Sequence, residues 1–444
     1  CHPATPHRET SVEPPRSFEH APCLDADLIP APVRAAALEL ASGSGAGYVY
    51  DPALAADRAR TLRKALPGWA RVYFAVKANG FEPVLAHLAE AVDGFEAASL
   101  REARASLAAL RERRGDASGP GGSGGQGGTG GRIAVSGPGK TPELLAGLAR
   151  LRAEHGADVV VNLESVLEAH RASAAAVDAG TVLPVTIRVN PARVPVSGSL
   201  VMGGTPGPFG IPEAEVPAAV AAVRSLPGLD PTGFHVHAVS GNTDAAAHAA
   251  YVLWCLEWAR ETASRHGVDL RTVDVGGGLG VPFEAGDDAF DLEGFGAALA
   301  DAPDPGVEVV FEPGRWIGAP AGWYAARVTD VKAAYGGTFA VVRGGINHFQ
   351  LPTSWEIRHN FAVLEDDLWP AGVPRPGARG ASVTVSGELC TPEDVLARDV
   401  RVASVRAGDV LVFPNAGAYG FEFAMPAFLG HPAAVRTTVD SRLP

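Results

Sequence analysis

Short apolar runs alternate with helical segments over the first three quarters of the chain. The eight runs occupy residues 72–76, 94–98, 133–136, 159–163, 185–189, 233–237, 272–275 and 307–311. Strands that alternate with helices indicate a parallel sheet with helical crossovers, and a count of eight favours a closed barrel. We therefore predict an α/β protein with a (β/α)8 TIM barrel over residues 46–325.

The pattern changes after about residue 325. Runs rich in β-forming residues, such as 339–342, 382–385 and 410–413, alternate with turn residues and include no long amphipathic helix. They predict a C-terminal, mostly antiparallel β domain over residues 326–444. Residues 1–45 show weak periodicity, and we expect part of this segment either to be disordered or to add to the β domain.

Local signals support the helices between the strands. Thr141 before Pro142, and Asp51 before Pro52, each place a capping side chain ahead of a proline suited to the first helical position. The stretch 115–131 is dominated by glycine, which predicts a flexible surface insertion between a helix and the third strand.

Charge and cysteine content narrow the class of protein. The 444 residues carry 37 Lys and Arg against 50 Asp and Glu, a net charge of −13. This balance argues against nucleic acid or an anionic membrane as the main partner. No apolar run approaches the roughly 20 residues that span a bilayer. The four cysteines lack CxxC or metal-ligand spacing, so we expect reduced thiols in a cytoplasmic protein without a metal site.

Residues with charged or reactive side chains, and a run of glycines, follow several of the predicted strands. In a barrel of this kind, side chains at the C-terminal strand ends face the active site. These positions hold Lys77, Arg188, His235, His237, Ser240, the glycines Gly276, Gly277 and Gly278, and then Glu312, Gly314 and Arg315.

Each of these residues has two interpretations when taken singly. Desolvation of Lys77 lowers its pKa and makes the amine a nucleophile for a carbonyl cofactor, but a strand-end lysine can also extend its charge to water. The triple glycine suits close approach of a phosphate or simply a tight turn. Glu312 fits beside a pyridine nitrogen or in a turn, and His237 fits a site or the core.

Six motifs make the sequence recognisable when taken together. They are YFAVKANG, FHVHAVSGN, DVGGGLG, FEPGRW, GELCTPEDV and NAGAYGFE, and they span residues 73–422. In this order the chain resembles the fold-type III pyridoxal-phosphate-dependent decarboxylases. This group contains ornithine and diaminopimelate decarboxylases, with alanine racemase as a more distant relative.

The resemblance implies roles for individual residues. Lys77 would bind pyridoxal 5′-phosphate covalently, His237 would stack on its ring, and Glu312 would contact its pyridine nitrogen. Cys390 would enter from the partner subunit of a head-to-tail homodimer as the proton donor. The remaining cofactor contacts, mostly to phosphate, would come from Arg188, Ser240, Gly276, Gly277, Gly278, Gly314, Arg315 and Tyr419. His235 points inward without an assigned role.

The residue after Cys390 bears on the substrate. Relatives that act on basic amino acids or diaminopimelate place Asp or Glu there, whereas this chain has Thr391, with Glu393 and Asp394 further along. The Cys-Thr-Pro-x-Asp pattern is more similar to the branch that decarboxylates conjugated amino acids in siderophore and natural-product biosynthesis. Polar contacts to such a substrate could come from His348, Gln350, Arg358 and His359, although the last two equally fit an ordinary surface.

Three functions remain open at this point. The first is a decarboxylase of the siderophore or natural-product branch, acting on a small amino-acid or conjugated amino-acid substrate. The second is a diaminopimelate, ornithine or lysine decarboxylase of primary metabolism, or a racemase of the same fold. The third is a non-catalytic regulatory relative. Retention of Lys77, His237, Glu312 and Cys390 favours an active decarboxylase.

Overall fold

A computed structural model describes residues 22–113, 131–196, 200–283, 287–355 and 357–442. Residues 1–21 and nearly all of the predicted 115–131 insertion lie outside this description. The helices are α1 (Ala31–Gly43), α2 (Pro52–Ala65), α3 (Glu82–Ala89), α4 (Leu100–Glu112), α5 (Pro142–His155), α6 (Val166–Asp178), α7 (Val216–Ser225), α8 (Ala245–His266), α9 (Leu292–Ala300) and α10 (Arg315–Gly318).

The strands follow in chain order: β1 (Ala46–Tyr50), β2 (Ala70–Ala75), β3 (Gly94–Ala97), β4 (Arg132–Val135), β5 (Asp158–Leu163), β6 (Leu183–Asn190), β7 (Leu200–Val201), β8 (Ile211–Pro212), β9 (Leu229–His235), β10 (Val239–Ser240), β11 (Thr272–Asp274), β12 (Glu308–Phe311), β13 (Gly322–Ala334), β14 (Gly337–Val342), β15 (Ala362–Leu364), β16 (Gly377–Ser386), β17 (Val395–Arg406), β18 (Val410–Phe413) and β19 (Val435–Thr438).

Eight parallel strands close into the predicted barrel. Their order around the ring is β2, β3, β4, β5, β6, β9, β11 and β12, and β12 pairs with β2 to complete it. The eight apolar runs of the sequence correspond to these eight strands, with shifts of a few residues at their ends. The (β/α)8 fold and its C-terminal, mostly antiparallel sheet are therefore confirmed.

The two proposed helix starts have the expected caps. The Asp51 side chain accepts a hydrogen bond from the Leu54 amide, and Thr141 accepts one from the Leu144 amide. Each satisfies an amide that the first helical turn leaves without a partner. The sequence signal at both positions thus reflects a real contact.

The second sheet is assembled from both ends of the chain. Its central strand β13 pairs antiparallel with β1, β14 and β18, while β1 pairs in parallel with β19. Consequently, Ala46–Tyr50 belongs to this sheet rather than to the barrel, and β13 begins at Gly322. The predicted limits 46–325 and 326–444 differ from the structure at both boundaries.

Helix α1 covers one face of the second sheet. Its buried residues Val33, Ala37 and Ala41 recur every four positions and pack with Val49 and Trp323. This apolar stripe explains why residues 31–43 fold as a helix against a sheet. The described part of the N-terminal segment therefore adds to the β domain, which was one of the two expectations.

No helix in the described ranges combines the length and apolar character needed to cross a bilayer. Cys23, Cys255 and Cys390 are free thiols.

Candidate active site

Lys77 lies in a short 3-10 turn, Val76–Ala78, directly after β2. A turn of the second domain docks against it: the Tyr419 amide donates to the Ala78 carbonyl oxygen (2.7 Å), and the Asn79 amide group donates to the Gly417 carbonyl oxygen (2.9 Å). The KANG and NAGAYGFE motifs, more than 300 residues apart in the chain, therefore meet. This contact brings Tyr419 to the mouth of the barrel.

The Lys77 ammonium pairs with a buried carboxylate that the sequence analysis missed. Its Nζ lies 2.8 Å from Glu96 Oε2, on β3, and Glu96 has no solvent exposure. Burial opposes the charge on Lys77, but attraction from Glu96 and Glu312 outweighs burial, so the Lys77 pKa is raised. The expectation of a lowered pKa from desolvation alone was wrong, because it ignored these carboxylates. An acidic residue inside the apolar run 94–98 was the signal available.

A second buried acidic group lies at the ends of β11 and β12. Burial, and then the proximity of Asp274, raise the pKa of Glu312 well above its usual range, while burial raises the pKa of Asp274 to about 6. Their proximity makes it unfavourable for both carboxyl groups to carry a charge at the same time. Glu312 Oε1 is buried without a hydrogen-bond partner in the structure. An oxygen of this kind fits a protonated ring nitrogen, as the sequence argument required.

His235 completes this cluster. Its Nε2 lies 3.7 Å from Glu312 Oε2 and 4.0 Å from Asp274 Oδ1. Burial, and then repulsion from Arg188, hold the pKa of His235 well below its usual range, so the ring is neutral. The three donor atoms are close enough to hold a cation, and the prediction of no metal site stays a prediction.

The triple glycine wraps around His237. The Gly277 amide donates to His237 Nδ1 (3.1 Å), so the proton of the neutral ring is on Nε2. A Cβ on Gly276 would lie 2.3 Å from His237 Nδ1, and one on Gly277 would lie 2.3 Å from the Glu312 carbonyl oxygen. Gly276 also has a φ of +68°. Close packing thus explains these glycines, as the alternative interpretation held, and the same packing sets the distance between His237 and Glu312.

Arg315 is buried inside an aromatic cage. Its Cζ lies 4.3 Å from the ring centre of Trp355 and 5.0 Å from that of Tyr419. Its Nε and Nη1 atoms are buried and donate to no hydrogen-bond acceptor among the described residues. A buried guanidinium with free N–H groups fits an anion such as a phosphate. Gly314 is needed beside it, because a Cβ there would lie 3.0 Å from the Tyr419 hydroxyl.

Two more of the predicted cofactor residues reach the same end of the barrel. Arg188 at the end of β6 pairs with Glu164 at 2.6 Å, and both side chains are buried. Its charge, with that of Lys77, helps to keep the pKa of His237 low, after the larger effect of burial. Ser240 in β10 follows Val239, whose carbonyl oxygen packs against Gly278. The structure therefore brings together at the barrel mouth the predicted groups from Lys77 to Arg315, with Tyr419.

A model of the pyridoxal-dependent decarboxylase family, describing its pyridoxal-binding domain, matches residues 54–319. The chain belongs to this family. Its members are pyridoxal-phosphate-dependent carboxy-lyases, so the predicted cofactor and enzyme class are confirmed.

Individual relatives extend the match over most of the chain. The chain is 31% identical to 2-[(L-alanin-3-ylcarbamoyl)methyl]-2-hydroxybutanedioate decarboxylase of Staphylococcus aureus, over 87% of this chain and 92% of that protein. It is also 31% identical to L-glutamyl-[BtrI acyl-carrier protein] decarboxylase of Niallia circulans, over 68% and 71% of the two chains. The crystal structure of Helicobacter pylori diaminopimelate decarboxylase (I148L mutant) with L-lysine has the same fold, with a TM-score of 0.73, 22% identity and coverage of 89% and 91%.

The Cys390 residue that the family resemblance made catalytic lies on the second sheet. It is exposed on the turn between β16 and β17, as is Glu393, while Thr391 is partly buried. We call residues 387–394 the cysteine turn. Within one chain the Cys390 thiol faces solvent rather than a neighbouring side chain of the barrel mouth.

Two tentative substrate residues are held inside the β domain instead. Asp394 is buried and accepts the amides of Ile346 (2.8 Å) and Leu389 (2.7 Å), one on each oxygen. His348 is buried with its Nε2 2.7 Å from the Pro432 carbonyl oxygen. These contacts correct both assignments, because neither side chain is free to bind a substrate.

The other polar candidates divide between core and surface. The ring centre of His359 lies 4.5 Å from that of Phe349, with the two rings tilted, and burial lowers the pKa of His359 to about 4. Arg358 is exposed. The backbone amide of Gln350 donates to the Gly420 carbonyl oxygen (3.0 Å), which places Gln350 beside the Tyr419 turn. Of these residues, Gln350 stays closest to the predicted substrate role.

Proposed function

We propose that this protein decarboxylates an amino acid whose side-chain nitrogen is acylated, as in siderophore or other secondary-metabolite biosynthesis. The observation that carries the proposal is the cysteine turn. Thr391 follows Cys390, and the nearby Asp394 carboxylate is already bound by two backbone amides. Among the described residues of that turn, a substrate with a distal ammonium would find no buried carboxylate that is free to pair with it, and burying that charge without a partner is costly.

The printed substrate of the S. aureus relative agrees with this proposal. Its name describes an alanine joined through an amide at C3 to a hydroxylated polycarboxylate. The acylated nitrogen carries no charge, and the tail is anionic. A turn without a free buried carboxylate suits such a tail, because it avoids repulsion between like charges.

We assign the cofactor contacts as follows. Lys77 provides the covalent link, His237 lies against the ring, and Glu312 contacts the pyridine nitrogen. Ser240, the Gly276–Gly278 loop, Gly314, Arg315 and Tyr419 hold the phosphate, and Arg188 adds a charge beside the ring. When bound, the cofactor takes up the electron pair that departing CO₂ leaves behind.

The protein groups then act by holding protons and charges. Glu312 would face the ring nitrogen, and burial and Asp274 raise its pKa, so a proton is retained at this position of the site. Glu96 receives the Lys77 ammonium whenever that amine is free. His237 stays neutral and is fixed by the Gly277 amide. These contacts set the protonation state of the site before the substrate enters.

The acid that returns a proton to the substrate carbon is proposed to be Cys390 of a second copy of the chain. Exposed apolar side chains occur at Phe423, Met425, Phe428 and Leu429. The Met425 amide donates to the Ile346 carbonyl oxygen, and the Ile346 amide donates to Asp394 of the cysteine turn. His431, just after these apolar residues, lies 3.6 Å from Glu388 at the start of that turn. Exposed apolar side chains in a segment that contacts the cysteine turn favour burial of this region against a partner subunit.

The experiment that tests the function compares two substrates that share the same amino-acid skeleton and differ only in acylation of the side-chain nitrogen. CO₂ release should be measured from L-2,3-diaminopropionate and from the same amino acid acylated by citrate on its C3 nitrogen. We expect kcat/KM to be about a hundredfold or more higher for the acylated form, since the free ammonium is desolvated without a partner. Equal rates would contradict the proposed substrate class.

A matched pair of variants tests the role of Thr391. Thr391→Asp should shift preference toward the free diamine, while Thr391→Ser, which keeps the hydroxyl, should leave the preference unchanged. A diaminopimelate or ornithine decarboxylase is the alternative, favoured by the exposed carboxylate of Glu393 on the same turn. Efficient turnover of a free diamine that is lost in Glu393→Gln would establish that alternative.

A further inference from the structure

One buried carboxylate links three segments at the mouth of the barrel. Glu164 follows β5 directly and is buried. Its Oε1 accepts hydrogen bonds from Arg188 Nη1 (2.6 Å) and from the Gly137 amide (3.0 Å). Its Oε2 accepts one from the Gly210 amide (2.6 Å). The segments that follow β4 and β6, and the end of β6 itself, are thus joined through one side chain.

The charge of this carboxylate is balanced within a closed network. The Glu164 amide donates to Glu168 Oε1 (3.1 Å), which lies 2.9 Å from Lys140 Nζ. Lys140 in turn donates to the Gly137 carbonyl oxygen (2.6 Å). Two cations and two carboxylates are therefore buried together with their hydrogen bonds made. Buried ion pairs of this kind are tolerated when every member has its partner.

The segment that Glu164 holds lies directly over the end of β6. A Cβ on Gly210 would come within 2.8 Å of the Asn190 nitrogen, and Gly210 has a φ of +72°. Phe209, one residue earlier, lies with its ring centre 5.0 Å from the Arg188 Cζ. The Arg188 guanidinium is therefore fixed on one side by Glu164 and covered on another by Phe209.

The position of Arg188 matters for the groups that face the cofactor. Its charge is close enough to His235 and His237 to oppose their protonation. A guanidinium released from Glu164 has several other rotamers, since its side chain is long. Loss of the Glu164 carboxylate would therefore have two effects at once. It would change the charge around the cofactor site, and it would release the segment that covers the barrel mouth.

We propose that Glu164 is a positioning residue that holds Arg188 and the Phe209–Gly210 segment in one arrangement over the cofactor site. This inference rests on the proposed function, because Arg188 is assigned to that site. Glu164 touches neither cofactor nor substrate in this assignment and acts through Arg188 and the Gly210 amide. Both oxygens of Glu164 accept hydrogen bonds, so a neutral amide cannot replace the carboxylate. The NH₂ group of a glutamine would point at one of the N–H donors.

The test uses Glu164→Gln in the cofactor-loaded enzyme, with Asp409→Asn as the matched control. Asp409 is also a buried carboxylate bound by two arginines, Arg375 and Arg406, but it lies in the second sheet. Both variants change a carboxylate to an amide of the same size. A difference between the two variants therefore reflects the position of Glu164 at the barrel mouth, and not the general cost of replacing a buried carboxylate with an amide.

Three readouts are measured for each variant. For Glu164→Gln we expect faster amide hydrogen exchange in a peptide covering residues 203–212, and weaker binding of pyridoxal phosphate. We also expect kcat/KM to fall about 10- to 100-fold, in line with loss of a hydrogen bond to a charged group. For Asp409→Asn we expect a lower melting temperature, with exchange at 203–212 and cofactor affinity unchanged. Wild-type exchange and affinity in Glu164→Gln would overturn the proposal.

A double-variant cycle separates positioning from general damage. Adding Arg188→Gln to Glu164→Gln should cost little further cofactor affinity, since Glu164 acts through Arg188. Fully additive losses would also overturn the proposal. If Glu164→Gln does not fold, Glu164→Asp keeps the charge but is one carbon shorter, and the same exchange at 203–212 is measured. Hydrogen exchange needs no substrate, so it tests Glu164 even if the proposed substrate class fails.

Discussion

The barrel mouth and the cysteine turn present reactive groups in opposite ways. At the barrel mouth Lys77, Glu312 and Arg315 are held by groups of their own chain, and Glu96 even neutralises the lysine. The cysteine turn is just as firmly anchored, through Asp394, but it leaves the Cys390 thiol in solvent. Groups that are buried and positioned by their own chain need no partner subunit to place them. An anchored but exposed thiol favours use by a neighbouring one.

The largest expected effect comes from removing the amine at the barrel mouth. Lys77→Ala should abolish both turnover and the visible absorbance of the lysine-linked cofactor, since no other group there can form that bond. Lys64→Ala, on helix α2, is the matched control and should retain both. Borohydride reduction followed by peptide mapping checks the assignment directly. Label on Lys64 or Lys140 would contradict it.

If Cys390 serves the barrel mouth of a neighbouring subunit, then two inactive variants should restore activity when they form mixed dimers. Lys77→Ala and Cys390→Ala subunits should each be inactive, yet a mixture should regain activity, because some mixed dimers hold one intact site. If subunits exchange at random in an equal mixture, about half of the dimers are mixed, and each mixed dimer has one intact site of its two. The mixture should therefore show about a quarter of wild-type activity. The measurement is the rate of CO₂ release after mixing. Full activity in a verified wild-type monomer would break the comparison.

A smaller effect is expected from loosening the cysteine turn. Asp394→Asn removes an acceptor from the Ile346 or Leu389 amide, so Cys390 loses its fixed position, and we expect kcat to fall roughly tenfold. Glu393→Gln, one residue earlier and exposed, should change kcat little. Both rates are measured with the acylated substrate. Equal effects of the two changes would mean that the turn needs no anchor.

The smallest effect concerns acid stability of the barrel mouth. His248 packs on Gly278, and burial lowers its pKa to about 4. A depressed folded-state pKa contributes stability above the unfolded value near 6.5, and this is lost as pH falls toward 4. The loss amounts to at most about 3 kcal/mol. His248→Gln should flatten the unfolding free energy between pH 6.5 and 4, as measured by urea titration. An unchanged slope would contradict the assignment.

Sequence reasoning located the barrel site because the fold imposes a rule on position. The C-terminal end of a parallel barrel strand faces the mouth, so Lys77, Arg188, His237 and Glu312 could be grouped from strand order alone. No comparable rule orients a turn in an antiparallel sheet. His348 and Asp394 were assigned to the substrate because they lie near motif residues in the chain, but their side chains point into the β domain.

Contacts between charged side chains were the second feature that could not be predicted from the sequence. The direction of the Lys77 pKa depends on Glu96, which lies 19 residues further along the chain, on the next strand and outside the six motifs. The mark that Glu96 leaves in the sequence is an acidic residue inside an apolar run. Likewise, Glu164 joins segments that are far apart in the chain. Strand β1 escaped the domain assignment for a similar reason, since its apolar run is equally suited to a barrel or to an outer sheet.

The pairing of β1 with β19 also sets an order on biosynthesis. Residues 70–311, which form the barrel strands, emerge from the ribosome long before Val435–Thr438. The first β strand must therefore wait for β19, and the second sheet can close only after residue 438 has left the ribosome. Tyr419 and its turn reach Lys77 at that same late stage. We therefore expect a nascent chain to form its barrel early but to gain a complete cofactor pocket only after the strands of the second sheet have emerged.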